Sequence, residues 1–480
     1  MKMKALLGSV LLALLILVAG CSDDSTTGND SDTNTDGGLS GDLDVTIITE
    51  YGGDGEEVDT IESMVNDYME LNPNVNVNLQ IEQINTNDHR TWVTTQLLGG
   101  TAPDVFTTRY VWDQEDLQKG LLTDLTPYFQ EENPYADNQV WEDTFQESVL
   151  EQLKGADKSY AGVPQYVNAV RVIYNKDVFE EVGVEVPETW SEFIDTQEKL
   201  KEHDIVPFAM PNSGLGDNAL NWASRILIDQ LLKDNLDTLD HNGSGVLDLN
   251  EYVKAVEEGQ IDNTKSPYKD VWTILKDWSP YWSNSYNGLN YDSAVDMFLR
   301  GDSAMMLMAL SAYKSVDKSD ARDFEVGAFP IPILTKDIHE DASERVTELG
   351  TVPQMPLVIP ADIDENKKEL AIDFIKYTTS PEVQSMNAEK LYRAPVVKDI
   401  PLPAKLEGFQ LVGDNYTFKL YAPAFDRNLA EISINQSQLY LQDDITNTEF
   451  MEVINEGMRD GVSQMMESND WNADNNYGLE

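Results

Sequence analysis

Hydrophobic residues in this chain recur with two periods, and the two alternate from one segment to the next. Residues 43–48 and 75–81 have the twofold alternation of a β-strand, whereas the apolar residues within 58–69 recur at helical spacing. Strands separated by helices are typical of α/β folds with parallel sheets. The loops that follow such strands share one edge of the sheet, where ligands bind, and here they hold residues 50–52 and 107–113.

Residues 162–193 carry a strand pattern followed by the boundary signals of two helices. The alternation over residues 170–174 predicts a strand, and Gly183 stands where the C-terminal cap of a short helix is expected. Thr189 and Glu192 have the spacing of a capping box, which predicts the start of a second helix. By itself this pattern is that of an ordinary strand and two helices.

As a whole string, residues 162–193 (GVPQYVNAVRVIYNKDVFEEVGVEVPETWSEF) resemble the segment that crosses the hinge in family 1 extracellular solute-binding proteins. This is the sugar-binding family of ABC importers to which maltose-binding protein belongs. Residues 100–106 (GTAPDVF) and 296–308 (DMFLRGDSAMMLM) also resemble family segments, and the resemblance extends over about residues 43–465. It implies an α/β, two-lobed periplasmic-binding-protein-like fold, in which each lobe is a mostly parallel sheet flanked by helices and the ligand cleft lies between the lobes.

The resemblance also implies a division of the chain between the two lobes. We expect an N-terminal lobe of residues 42–167 plus 328–392 and a C-terminal lobe of residues 168–327 plus 393–480. The chain would cross between the lobes three times, near residues 167–170, 324–328 and 393–396.

Candidate ligand contacts follow from the chemistry of sugars, whose C–H faces stack on aromatic rings and whose hydroxyls need planar polar partners. The candidates lie in three places: the predicted ligand edge of the first lobe, the hinge strand and the second lobe. On the hinge strand, Tyr166 and Asn168 align with positions at which the family often contacts its ligand. They are Tyr51, Trp112, Asp113, Tyr166, Asn168, Trp222, Trp282 and Tyr313. For each aromatic residue, a position in the hydrophobic core is the alternative.

Residues 240–251 have the register of an EF-hand calcium loop. The ligands would be the side chains of Asp240, Asn242, Ser244, Asp248 and Glu251 and the carbonyl of Val246. Gly245, at the sixth position, permits the sharp turn that the loop requires. The alternative is a solvated acidic turn. We expect one structural calcium ion here.

The N-terminus predicts secretion and a lipid anchor. Residues 1–20 combine two lysines with a short apolar run, as in a signal peptide, and residues 18–21 (VAGC) resemble a bacterial lipobox. Cys21, the only cysteine, would carry the lipid, and residues 21–41 would form a flexible linker on the outer face of the cell membrane. The alternative is an ordinary signal peptide with an incidental cysteine.

The charge excludes some partners. The 480 residues include 33 Lys and Arg against 86 Asp and Glu, a net charge of −53. Such a surface repels nucleic acid and anionic lipid. It is typical of adaptation to a saline or alkaline medium, where salt screens the self-repulsion. With one cysteine, neither a disulfide framework nor a cysteine-built zinc site can form.

No catalytic pattern stands out. The four histidines are scattered, and the sequence has neither an HExxH motif nor a GxSxG elbow or phosphate-binding Walker loop. We therefore predict a monomeric, non-catalytic lipoprotein that captures a sugar or oligosaccharide and delivers it to the permease subunits of an ABC importer. The alternatives are a surface-anchored polysaccharide-degrading enzyme and a glycan-binding adhesin.

Overall fold

A computed structural model describes residues 38–49, 55–84, 86–154, 158–214, 219–241, 243, 245, 247–351, 353–415 and 427–479. The predicted signal peptide, Cys21 and most of the predicted linker lie outside these ranges. None of the described helices is long and apolar enough to cross a membrane.

The described residues form helices and strands in alternation along most of the chain. The strands are β1 (Gly41–Thr49), β2 (Val75–Gln83), β3 (Val105–Thr107), β4 (Glu132–Asn133), β5 (Gln139–Val140), β6 (Val170–Asn175), β7 (Phe208–Ala209), β8 (Met305–Ala309), β9 (Val326–Phe329), β10 (Thr347–Glu348), β11 (Leu357–Val358) and β12 (Asp414–Asn415). The helices are α1 (Gly55–Leu71), α2 (Thr86–Gly99), α3 (Tyr110–Gln118), α4 (Thr126–Phe129), α5 (Trp141–Thr144), α6 (Glu147–Leu153), α7 (Lys176–Val182), α8 (Trp190–Glu202), α9 (Ala219–Leu232), α10 (Leu249–Glu257), α11 (Tyr268–Trp278), α12 (Tyr291–Leu299), α13 (Leu310–Asp317), α14 (Glu365–Thr378), α15 (Pro381–Leu391), α16 (Arg427–Leu441) and α17 (Asn447–Asn469).

The first lobe is built on a four-stranded sheet with the order β11-β3-β1-β2. Strand β1 runs parallel to both β2 and β3, and only β11 is antiparallel to its neighbour. Helix α1 covers this sheet with the apolar face that its spacing predicts, which includes Ile61, Val65 and Tyr68. The predicted alternation of strands and helices and the mostly parallel sheet are therefore confirmed for this lobe.

The second lobe has a four-stranded sheet with the order β7-β8-β6-β9. Strand β6 is antiparallel to both β8 and β9, and only β7 and β8 are parallel. The expectation of a mostly parallel sheet is therefore wrong for this lobe. Hydrophobic alternation has the same period in parallel and antiparallel strands, so it predicts that β6 exists but not the direction in which it pairs.

The two lobes are joined by segments that lie side by side. The first hinge segment, residues 163–170, bonds along its length to the second hinge segment, residues 348–357, for instance from the N–H of Asn168 to Gly350 O (3.0 Å) and from Gln354 N–H to Tyr166 O (2.9 Å). The crossing expected at residues 324–328 is therefore wrong. That stretch overlaps β9, which pairs with β6 inside the second sheet, and the chain leaves the second lobe only after β10.

The third crossing also lies later than expected. The Ala394 backbone does pair with the first hinge segment, but Val397 bridges to Phe145 in the first lobe. The chain reaches the second lobe at residues 404–413, where the Gly413 backbone packs against Val346 and Asp414 N–H bonds to Val346 O (2.9 Å). We call residues 394–413 the third hinge segment.

A buried ion pair lies where the three hinge segments meet, between Arg171, which directly follows the first segment, and Glu348, which begins the second. Arg171 and Glu348 are 0% and 1% exposed, with 2.7 Å between Arg171 Nη1 and Glu348 Oε2. The guanidinium also donates to the carbonyls of Gly408 (3.2 Å) and Gln410 (2.9 Å). Glu348 Oε1 accepts from the backbone N–H groups of residues 412–413 at 2.8 and 3.0 Å. This hinge ion pair therefore fixes the point at which the segments enter the second lobe.

Breaking the hinge ion pair should strongly destabilise the protein. Glu348→Gln or Arg171→Met leaves one buried charge without its partner, so we expect the free energy of unfolding to fall by about 3–5 kcal/mol. Arg300→Met is the matched control because Arg300 pairs with Asp302 on the surface, where such a pair contributes about 0–1 kcal/mol. Urea denaturation followed by tryptophan fluorescence measures both. If the free energy of unfolding fell equally in the hinge and control variants, the buried ion pair would not have the stabilising role assigned to it.

Candidate functional site

The cleft between the lobes begins at one edge of the first sheet. Strands β1 and β3 are parallel neighbours, so Thr49 and Thr107 end at the same edge. The chain then enters α3, whose N-cap is Arg109. Tyr51, a predicted ligand contact in the loop after β1, lies outside the described residues. The geometry therefore places the loop after β3 on the ligand edge expected for parallel strands.

We call the part of the first hinge segment that holds Tyr166 and Asn168 the cleft floor, and Asn168 links it to the second lobe. Its side-chain amide donates to Ser311 Oγ (2.8 Å), and its Oδ1 accepts from Ser311 N–H (3.1 Å) at the start of α13. The same Oδ1 accepts from the Ala169 N–H (3.0 Å). The side chain is half-buried. Asn168 thus sits on the first hinge segment with its amide held against the second lobe.

Tyr166, two residues earlier, belongs to the same floor. Its ring is half-buried, and the Arg393 guanidinium carbon lies 4.4 Å from the ring centroid. Arg393 also forms an ion pair with Glu57 in the first turn of α1. Tyr166 therefore faces groups of the first lobe, whereas Asn168 faces the second.

A second set of ion pairs connects the lobes beside the floor. Lys314 and Lys318, at and beyond the last turn of α13, both bind Glu56 on α1, with 3.0 Å from Lys314 Nζ to Glu56 Oε2. Hydrogen bonds from Lys318 and Lys314 lower the pKa of Glu56. Ser311, Lys314 and Lys318 recur at helical spacing, so they form one polar stripe of α13 that faces the first lobe.

The two predicted contacts on α3 have different surroundings. Trp112 is half-buried, with the His89 ring edge-on at 5.3 Å and the guanidinium carbons of Arg90 and Arg109 at 5.4 and 5.9 Å from its centroid. Asp113 is buried and accepts a hydrogen bond from the Thr108 hydroxyl. Burial raises its pKa well above the usual carboxyl range. The structure thus keeps Trp112 at the edge of the cleft and withdraws Asp113 into the lobe, because successive helical residues point about 100° apart.

Two predicted aromatic contacts of the second lobe lie in the hydrophobic core. Trp282 and Tyr313 are each 4% exposed. Trp282 packs edge-on against Trp278 (5.3 Å) and Tyr286 (5.2 Å), and Tyr313 packs against Phe409 (4.9 Å). Their interpretation as ligand contacts is therefore corrected to core packing, the alternative that an aromatic pattern cannot exclude.

Trp222 is the predicted second-lobe aromatic that keeps partial exposure. It is half-buried on α9, and its ring is edge-on to that of Tyr291, with 5.8 Å between the two ring centroids.

The structure adds residues that sequence reasoning missed. The contacts at the cleft floor and between the lobes also involve Ser311, Lys314 and Arg393. For Ser311 and Lys314, the only signal in the sequence was their helical spacing. Asn212 follows β7 and is buried, with 3.0 Å from its Nδ2 to Asn287 Oδ1. Strand β7 is too short for alternation to show it, so the sequence did not place Asn212 at the end of a strand.

Comparison with known proteins identifies the family. The family model described as bacterial extracellular solute-binding protein matches residues 53–385. The chain belongs to this family. A curated relative, a multiple sugar-binding protein of Streptococcus mutans, is 25% identical over 293 residues, which are 60% of this chain and 62% of that protein. The match thus spans less than two thirds of the relative's length.

Solved structures share the fold of this solute-binding protein. The apo form of RafE from Streptococcus pneumoniae is 19% identical with a TM-score of 0.66, covering 88% of this chain and 99% of that one. A family 1 extracellular solute-binding protein from Bifidobacterium longum subsp. infantis is 16% identical, with a TM-score of 0.63 and the same coverage. A chitin oligosaccharide binding protein is 19% identical, with a TM-score of 0.60 and again the same coverage. These similarities confirm the two-lobed fold.

The predicted calcium loop of the solute-binding protein is described in part. Asp240 Oδ2 accepts from Gly245 N–H (2.8 Å), and Gly245 has φ +79°. Glu251 is fully buried and accepts from the N–H groups of His241 (2.7 Å) and Asp248 (2.9 Å). The remaining predicted ligands, Asn242, Ser244 and Val246, lie outside the described residues. Among the residues that are described, no group of three or more His, Cys, Asp or Glu side chains is arranged to hold a metal ion.

Asp113→Asn should stabilise the solute-binding protein at neutral pH. Because burial raises the folded-state pKa of Asp113, the parent loses stability as pH rises from the unfolded carboxyl value, about 3.9, toward the raised folded value. Asparagine has no proton to lose, yet its Oδ1 can still accept from Thr108. The advantage of the variant should therefore vanish below about pH 3.5 and grow as pH rises.

Thermal unfolding over a pH series measures this difference. Asp59→Asn removes the same charge from an exposed position on α1 and serves as the control. A stability difference for Asp113→Asn that does not change with pH, or that matches the control, would contradict a raised pKa.

Proposed function

We propose that this solute-binding protein captures a sugar or oligosaccharide between its lobes and delivers it to the permease subunits of an ABC importer. The observation that carries the proposal is the cleft floor, where Tyr166 faces the first lobe and Asn168 faces the second. An aromatic ring beside an amide provides both a surface for sugar C–H groups and a partner for hydroxyls. Support also comes from solved structures of the same fold, RafE in complex with raffinose and the maltose-bound MalE3 of T. maritima.

Capture would proceed by rotation of the lobes about the three hinge segments. A ligand that contacts both lobes binds the closed form more tightly than the open form and shifts the population toward it, by no more than that difference in affinity. The hinge ion pair holds the second-lobe ends of the segments, so the torsions that change would lie between it and the first lobe.

We infer a non-catalytic receptor rather than a polysaccharide-degrading enzyme or an adhesin. Among the described residues, burial raises the pKa of three acids: Asp113, Glu151 and Asp373. Glu151 lies on the exposed side of α6. Asp113 and Asp373 are engaged inside the first lobe, Asp113 by Thr108 and Asp373 by Tyr68 and Tyr135. Neither is paired with a second carboxylate across the cleft, as glycoside hydrolysis requires. We further expect a monomer.

We also propose that Cys21 anchors the protein by lipid to the outer face of the cell membrane. The family is extracellular, and support for the anchor comes from the lipobox-like residues 18–21 after an apolar run. Mass spectrometry of the membrane-extracted protein should find Cys21 as an acylated first residue. An N-terminus elsewhere, or an unmodified Cys21, would contradict the anchor.

Saccharide binding should compact the protein. We expect a thermal-shift screen of mono- and oligosaccharides to give a ligand that raises the melting temperature, because binding favours the folded state. Small-angle scattering should then show a smaller radius of gyration at saturation. Asn168→Ala should weaken binding about tenfold, because it removes a hydrogen bond at the cleft floor. The affinity of Trp222→Ala tests whether the second lobe contributes a ligand contact at that ring. A saturated complex with an unchanged radius would contradict hinge closure.

We propose in addition that residues 240–251 bind one structural calcium ion. The ligands would be those expected from the sequence: Asp240, Asn242, Ser244, the Val246 carbonyl, Asp248 and Glu251. Support comes from the bond between Asp240 and the N–H of Gly245, which closes the turn, and from the buried Glu251 carboxylate. Three carboxylates in such a loop suggest a Kd of about 10⁻⁴–10⁻³ M, the range of extracellular calcium modules.

Chelation should lower the melting temperature of the protein, because calcium bound only by the folded state adds stability. Asp240→Asn and Glu251→Gln should each abolish the difference between calcium and chelator. Glu257→Gln, which removes an exposed carboxylate from the neighbouring helix α10, should retain it. A melting curve that is the same with calcium and with chelator would contradict the site.

A further inference from the structure

We propose that Arg393 is a positioning residue, which holds the Tyr166 ring in place as the aromatic platform on which a saccharide stacks. This inference rests on the proposed sugar-binding function and adds to it the residue that orders the platform. It depends on three observations: the pairing of the two hinge segments, the stacking of the guanidinium on the ring, and the ion pair that fixes the guanidinium.

Backbone pairing brings the two side chains to the same side of the hinge. Val167 and Ala394 exchange both backbone hydrogen bonds, at 3.0 and 3.2 Å, and both are buried. Tyr166 and Arg393 directly precede Val167 and Ala394. Because side chains alternate along extended chain, they point away from the side that Val167 and Ala394 bury. They form a diagonal cross-strand pair, a spacing that long side chains can span.

The guanidinium is itself held firmly. It lies 4.4 Å from the Tyr166 centroid, within the range of a cation–π contact. Its Nη2 forms the ion pair with Glu57 and lies 3.7 Å from Met355 Sδ. The Arg393 side chain is 12% exposed and Glu57 is 19% exposed, so the pair is largely shielded from water. A planar group fixed at its far end restricts the rotation of the ring it covers.

Trp112, the half-buried aromatic that the sequence predicted as a ligand contact on α3, differs in this respect. Trp112 has two guanidinium groups, those of Arg90 and Arg109, and the edge of His89 around its ring. Tyr166 has the Arg393 guanidinium over its ring and remains half-buried at the floor, beside Asn168. The geometry therefore favours Tyr166 as the platform, pre-oriented before the ligand arrives, so that less side-chain entropy is lost on binding.

A double-mutant cycle tests whether Arg393 acts through Tyr166. With the saccharide found in the screen, Arg393→Gln should weaken affinity about threefold to tenfold, the scale of ordering one side chain. The same substitution in the Tyr166→Ala background should have no further effect, because the platform is already absent. Arg393→Lys should resemble Arg393→Gln, since an ammonium lacks the planar stacking face. Arg345→Gln, at an exposed arginine with two surface partners, should bind as the parent does.

A purely structural role would lower the melting temperature and leave the affinity of the folded fraction unchanged, which would overturn the proposal. Additive losses in the double variant would overturn it as well. Glu57→Gln provides a second route if Arg393→Gln fails to fold, because it releases the guanidinium without removing it and should show the same non-additivity. A parent protein that binds no saccharide would refute the proposed function itself. A parent that binds, together with an Arg393→Gln variant of equal affinity, would refute only this inference.

Discussion

The buried pair of Arg171 and Glu348 is the interaction on which the arrangement of the lobes depends. Taking two charges out of water costs several kcal/mol per ion, and the cost is offset only when the remaining donors and acceptors are satisfied. Here the carbonyls of Gly408 and Gln410 accept from the guanidinium, the N–H groups of residues 412–413 donate to Glu348 Oε1, and Glu348 Oε2 is held by the ion pair itself. The pair is therefore stable only when all three hinge segments are in place, which makes the joining of the lobes a cooperative event.

The cleft floor is a consequence of the same arrangement. Because the first hinge segment pairs with the second and the third, its half-buried side chains emerge where both lobes are within reach. Tyr166 meets Arg393 and the first lobe, and Asn168 meets Ser311 and the second. A ligand held on this floor is within reach of both lobes. Closure about a hinge requires a ligand that contacts both lobes.

The charge distribution also bears on how the two lobes are held together. A chain with a net charge of −53 resists bringing two lobes together. At the junction of α1 and α13 the repulsion is locally reversed, because Lys314 and Lys318 share Glu56. Two lysines of α13 and its C-terminal end thus bind an acid at the start of α1 where the lobes meet.

The sequence by itself determined the local elements and the family. Strand β6, the αL cap at Gly183 (φ +72°) and the capping box of Thr189 and Glu192 all stand where their patterns predicted them, because each depends on residues within a few positions of one another. Only the tertiary structure decided the antiparallel direction of β6, the crossing after Glu348, and the burial of the predicted contacts Asp113, Trp282 and Tyr313. These features depend on partners remote in sequence, as Arg171 and Glu348 are 177 residues apart, and hydrophobic periodicity carries no information about which distant segment a residue will meet.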